Sequence, residues 1–82
     1  MTPETFGQWI KSARSAMGLS LGAAAALASM PSSRLSAIEH DSPHIDPRKF
    51  KLTTVEGLAR ALGMQPWRIV LELYERTGGW HG

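Results

Sequence analysis

The stretch Gly18-Leu-Ser-Leu-Gly-Ala-Ala-Ala-Ala-Leu-Ala-Ser-Met-Pro-Ser-Ser-Arg-Leu-Ser-Ala-Ile-Glu39 decides how this chain folds. It reads as two short helices joined by a tight turn. Pro31 forbids one continuous helix, because its ring has no backbone N–H and clashes with the turn before it. The first helix, capped by Ser20 and running to about Ala28, is packed with alanine. Gly22 weakens its start by roughly 1 kcal/mol relative to alanine, and Leu27 is its one large candidate for burial after Leu21. The second helix runs from about Ser32 to His40, and Asp41-Ser42-Pro43 ends it. Small hydroxyls and an arginine share one of its faces; Leu35 and Ile38 share the other. A small-residue helix lets a neighbour approach closely and cross it steeply. That geometry leaves the polar face of the second helix free to enter a DNA major groove.

The rest of the chain reads as support for this pair. Thr2 as N-cap and Pro3 at the first helical position predict helix one. Phe6, Trp9, Ile10, Ala13 and Met17 form its apolar stripe, and Gly18 closes it. Residues 41–52 form a polar loop with Ile45 and Phe50 as candidate pins. Thr53-Thr54-Val55-Glu56 spells a capping box and predicts the start of helix four, which Gly63 ends. Pro66 opens helix five, which continues to about Arg76. Gly78, Gly79 and Gly82 suggest a flexible tail over 77–82 behind a domain over 1–76. No strand pattern is present, so the expected class is all-α with five helices. Helix five carries two apolar stripes, Ile69-Val70-Leu73 and Trp67-Leu71-Tyr74. A domain this small hardly encloses both, so Trp67, Leu71, Tyr74 and Trp80 are the candidate contacts of a homodimer.

Eighty-two residues make one domain. A chain this short buries only roughly 60–65% of its unfolded surface, and without cysteine it has no disulfide to help. The longest apolar run, Ala23 to Ala28, is far too short to cross a membrane. With no basic segment followed by a leucine-rich stretch at the N-terminus, the expected location is cytoplasmic. Net charge is only +2, but Arg48, Lys49 and Lys51 cluster near His44, while Glu4, Glu56, Glu72 and Glu75 lie elsewhere. Such a patch suits phosphate contact at a defined place; it equally suits a solvated loop.

Enzymatic chemistry is poorly supported. His40-Asp41-x-x-His44-x-Asp46 looks superficially like a metal cluster, but Pro43 breaks the helix that would align its histidines. His81 stands apart near the C-terminus. No serine or threonine has a convincing base and orienting acid, and no glycine-rich phosphate loop is present. The expectation is therefore neither an enzyme nor a metal or cofactor protein.

Arg14, then Gly18-Leu19-Ser20, then Ala25, then Ser33 to Glu39, then Leu58-Ala59-Arg60-Ala61-Leu62-Gly63 form an ordered set. In that order the chain resembles the phage repressor/Cro-type (Xre-like) helix-turn-helix family over roughly Phe6 to Leu73. The resemblance implies a compact five-helix, lambda-repressor-like domain whose helix-turn-helix is helices two and three. It puts Ser32, Ser33, Arg34, Ser36 and Ala37 at base edges. Arginine can bond guanine O6 and N7 in pairs, serine can donate or accept, and the Ala37 methyl suits thymine. For Arg34, base and phosphate contact both stay open. Phosphate contacts are expected from Lys11, from the start of helix two at Ser20 and Leu21, from His40, and from Arg48, Lys49 and Lys51. Arg14 and Glu39 match a structural ion pair between helices one and three.

The departures are specific. Leu21 stands where relatives often have a glutamine that holds the DNA backbone, and Ala24 where leucine is usual. Ser29 and Pro31 replace the common turn residues, and the loop before helix four is several residues longer. The function implied is a sequence-specific DNA-binding regulator, a homodimeric repressor on an inverted repeat of double-stranded DNA. The alternative is an antitoxin or other interaction module that holds a partner protein, such as a toxin, through helix five and the tail.

Overall fold

The computed structural model describes residues 4–80. Among them the chain is all-helical: α1 (Phe6–Ala16), α2 (Leu21–Leu27), α3 (Ser32–Glu39), α4 (Leu52–Leu62) and α5 (Pro66–Thr77), with a 3₁₀ turn at Pro47–Lys49. α3 packs on α1 and α2, α2 on α4, and α4 on α5. Phe6, Ile10, Leu35, Val55, Leu58, Ile69 and Leu73 are the largest fully buried side chains. Each large apolar side chain taken from water contributes about 1.5–3 kcal/mol. No described helix is long and apolar enough to cross a membrane.

α1 starts later than expected. Thr2 and Pro3 lie outside the described residues; the cap is Thr5. Its hydroxyl accepts from the Gln8 amide at 3.1 Å, and the Gln8 side chain accepts from the Thr5 amide at 2.9 Å. Thr5-Phe6-Gly7-Gln8 is thus a complete capping box. At the other end Met17 is a cap residue and stays about half exposed instead of joining the core.

The fully buried positions of α2 are alanines, with Leu21 only half-buried at its start. Ala24 and Ala25, with Ala28 just beyond, are buried, whereas Leu27 is 44% exposed, contrary to expectation. The reason is backbone approach. A Cβ built on Gly57 of α4 would lie 2.5 Å from the Ala28 carbonyl oxygen, so α4 passes directly beneath the end of α2 and leaves no room for leucine there.

α4 begins at Leu52 with Lys51 as N-cap and no side-chain cap. The Thr53–Glu56 box does not form, because Thr53 is already inside the helix. Buried Phe50 and the 3₁₀ turn before it deliver the chain into helical geometry earlier than the box would. Gly63 ends α4 with φ +67°, as its position predicts.

Residues 77–80, expected as a tail, continue the domain. α5 runs through Thr77 and closes on Gly78 at φ +86°. Gly79 is buried, and the half-buried Trp80 donates its indole N–H to the Phe50 carbonyl at 2.9 Å. His81 and Gly82 lie outside the described residues.

Candidate nucleic-acid interface

α3 presents its polar residues at its N-terminal end. Pro31 is the N-cap, in extended geometry with no side-chain cap bond. Ser32, Ser33 and Arg34 are exposed, Ser36 and Ala37 half-buried, and Leu35 and Ile38 each 2% exposed. Ser33, Ser36, Ala37 and His40 follow the spacing of one helical face. Among the described residues no hydrogen bond ties the Ser32, Ser33 or Arg34 side chains to the body. Their donors and acceptors are available to a partner.

The other end of α3 is locked. Glu39 is buried and takes Arg14 in two bonds, Nε to Oε2 at 2.7 Å and Nη2 to Oε1 at 3.0 Å. Arg14 Nη1 also donates to the Leu19 carbonyl at 2.9 Å, so one guanidinium joins α1, α3 and the entry to α2. Hydrogen bonding to Glu39 raises the Arg14 pKa above its ordinary value, outweighing burial, which acts the other way. The implied ion pair is therefore present. Asp41, at φ +54°, adds a second lock. Its carboxylate accepts from the Gly7 amide and the Thr5 hydroxyl, capping α1.

The turn Ala28–Pro31 passes through Ser29 at φ +57°. Arg60 braces it, donating from Nε to the Leu27 carbonyl at 2.8 Å and from Nη2 to the Ser29 hydroxyl at 3.3 Å. Sequence reasoning missed the roles of Asp41, Arg60 and Trp80, whose partners lie 30 to 36 residues away. Gly57 carried no decisive signal either, since Gly22 has the same helical setting and lies in open space.

The phosphate candidates separate into distinct situations. Lys11 is exposed on α1. The Ser20 hydroxyl accepts from the Ala23 amide at 3.1 Å and keeps its own proton to donate. Leu21 is half-buried against the core and offers only its backbone. His40 bonds the Ser36 carbonyl through Nδ1 at 2.8 Å, which requires the proton on Nδ1 and turns the rest of the ring outward. Arg48 is engaged by both oxygens of Asp46, at 3.2 Å each. Hydrogen bonding from Arg48 holds the Asp46 carboxyl below the usual range. Lys49 and Lys51 are exposed, with no ion-pair partner among the described residues.

Two open clefts flank Arg34. One, about 440 Å³, lies toward the α2–α3 turn and α4, with Thr53, Glu56 and Arg60 on its walls. The other, about 530 Å³, lies toward the loop, with His44, Asp46 and Lys49. The residues of the superficial metal pattern do not converge: Asp41 is spent on α1, Asp46 on Arg48 and His40 on Ser36. Among the described residues no group of three or more His, Asp or Glu is arranged to hold a metal.

The four dimer candidates divide. Trp67, Leu71 and Tyr74 are 65%, 38% and 55% exposed and share one face of α5. Trp80 instead faces its own domain, packed against the core. The opposite face of α5 buries Ile69 and Leu73, with Glu72 between Arg68 at 2.9 Å and Arg76 at 2.6 Å.

Compared with family models, curated proteins and solved structures, the chain matches none.

Proposed function

We propose that this chain is a sequence-specific DNA-binding regulator of the lambda-repressor-like kind. α2 and α3 are its helix-turn-helix, α3 is its recognition helix, and it performs no catalytic step. The observation that carries the reading is the asymmetry of α3. Ser32, Ser33 and Arg34 stand exposed and unbonded while Leu35, Ile38 and Glu39 are anchored inside. A surface helix with a solvent-facing polar tip and a fixed base is what major-groove readout uses.

The chain acts as a homodimer through Trp67, Leu71 and Tyr74, and represses by covering an inverted repeat whose half-sites lie about 34 Å apart. These exposed α5 residues favour a two-fold contact, since a monomer this small gains most from covering them. They also motivate a second reading, in which α5 holds a different protein. Trp80 adds nothing to that reading, because its indole is spent on Phe50.

Selection from a randomised duplex pool tests the proposal. Enrichment of an inverted repeat, with a steep loss of affinity as salt rises, is the expected result. A pool that stays random after repeated rounds overturns it.

A further inference from the structure

Arg34, His44 and Lys49 line one open cleft between α3 and the 43–50 segment. The one acid there, Asp46, already gives both carboxylate oxygens to Arg48. Arg34 and Lys49 make no ion pair among the described residues, although the Lys49 ammonium lies near enough to Asp46 to help hold that carboxyl below its ordinary value. The wall carrying His44 and Lys49 is built in advance. Phe50 is buried edge-on against Phe6 with ring centres 6.1 Å apart, Trp80 bonds its carbonyl, and Ile45 packs on the core. A pre-formed basic cleft binds an anion without first ordering a loop. The cleft on the other side of Arg34 holds Glu56, which makes no ion pair among the described residues, beside Arg60, whose guanidinium is already bonded to the Leu27 carbonyl and the Ser29 hydroxyl. The loop side, where the acid is paired and the cations are not, is the better anion site.

We propose that this cleft is a phosphate-binding site in which Arg34 and Lys49 grip one phosphate group and the His44 ring donates to it. Its occupant is a backbone phosphodiester of the bound duplex, so the proposal rests on the DNA-binding reading and deepens it. Arg34 becomes a phosphate clamp that sets how deep α3 sits in the groove. Base reading is left to Ser32, Ser33, Ser36 and Ala37. A guanidinium can take two phosphate oxygens side by side, and the Lys49 ammonium adds a point charge.

The test combines Arg34→Gln and Lys49→Gln with duplexes carrying a neutral methylphosphonate at one backbone position at a time. Both side chains are exposed, and circular dichroism checks that each variant folds. One methylphosphonate position per half-site is expected to cost the native chain about tenfold in affinity, and that cost should vanish in Arg34→Gln. The salt slope of Arg34→Gln should be shallower by about 0.9, with the ranking of duplex sequences unchanged. A reordered ranking with no coupling to any methylphosphonate overturns the assignment, because it makes Arg34 a base reader. If the native chain binds no duplex at any salt, the DNA-binding reading itself has failed. The cleft is then judged by inorganic phosphate. Saturable NMR shifts at Arg34, His44 and Lys49 with phosphate, absent with chloride at equal ionic strength, support a site for free phosphate; unchanged spectra overturn it.

Discussion

The carboxylate of Asp41 accepts the backbone amide of Gly7 at 3.1 Å, so the second residue beyond α3 caps the first helix of the chain. The approach is close enough that a Cβ on Gly7 would clash with the Ile38 carbonyl. Asp41 sits at φ +54°, where asparagine and glycine are tolerated and alanine is strained. Asp41→Ala should cost about 2 kcal/mol, from the lost cap and the strained backbone together. Asp41→Asn should cost less, because it keeps an acceptor and tolerates the backbone. Urea titrations of the two variants measure this; equal losses would count against the cap.

Gly57 and Gly22 are both helical glycines with opposite surroundings. Gly57→Ala drives a methyl into the Ala28 carbonyl and should lose about 1–3 kcal/mol. Nothing lies within 4 Å of a Cβ on Gly22, so Gly22→Ala should gain about 0.5–1 kcal/mol from helix propensity alone. Thermal melts of the pair should move in opposite directions.

Removing one member of the Arg14–Glu39 pair strands the other, and the Glu39 side chain is only 2% exposed. Arg14→Ala should cost about 3 kcal/mol, while replacing both by methionine should recover much of it. A double-mutant cycle by chemical denaturation reads the difference. Additive losses would mean that the two groups do not interact.

Asp46 titrates below its ordinary value because Arg48 hydrogen-bonds it. A carboxyl lowered on folding adds stability above its unfolded pKa, and that stability is lost as pH falls through the folded value. The small advantage of the native chain over Asp46→Asn at pH 7 should therefore disappear in acid, below about pH 4. Under the proposed function the same substitution releases Arg48. Binding to duplexes of any sequence should tighten, and the salt slope should steepen by about 1.

Leu71 lies on the open face of α5 between Trp67 and Tyr74. Leu71→Glu leaves the buried Ile69–Leu73 stripe untouched and places a charge in the proposed dimer contact. Sedimentation should show a dimer become a monomer, with affinity for an inverted repeat falling more than tenfold. A native chain that sediments as a monomer removes the basis for this interface.

Much of the interior was readable before the coordinates. Phe6, Ile10, Leu35, Ile38, Ile69 and Leu73 occupy the helical spacings that predict burial, and all are buried. Pro31, Gly63 and Pro66 stand where helices must break or begin. On the candidate interface, the spacing of Leu35 and Ile38 already placed Ser33 and Arg34 on the outer side. The side on which Arg34 would lie was not legible, since the two clefts beside it are made by segments far along the chain.

The amino-acid sequence by itself determined the number and type of the helices and the inward stripe of each, because periodicity and the punctuation of proline and glycine act within a few residues. Tertiary structure alone decided that Asp41 reaches back to α1, that Leu27 stays outside, that Lys51 starts α4 and that Trp80 returns to Phe50. Those outcomes rest on backbone approach and hydrogen bonds between distant segments, such as the Gly57–Ala28 contact and the Asp41 cap. A local pattern carries no record of a partner that arrives only when the chain has folded.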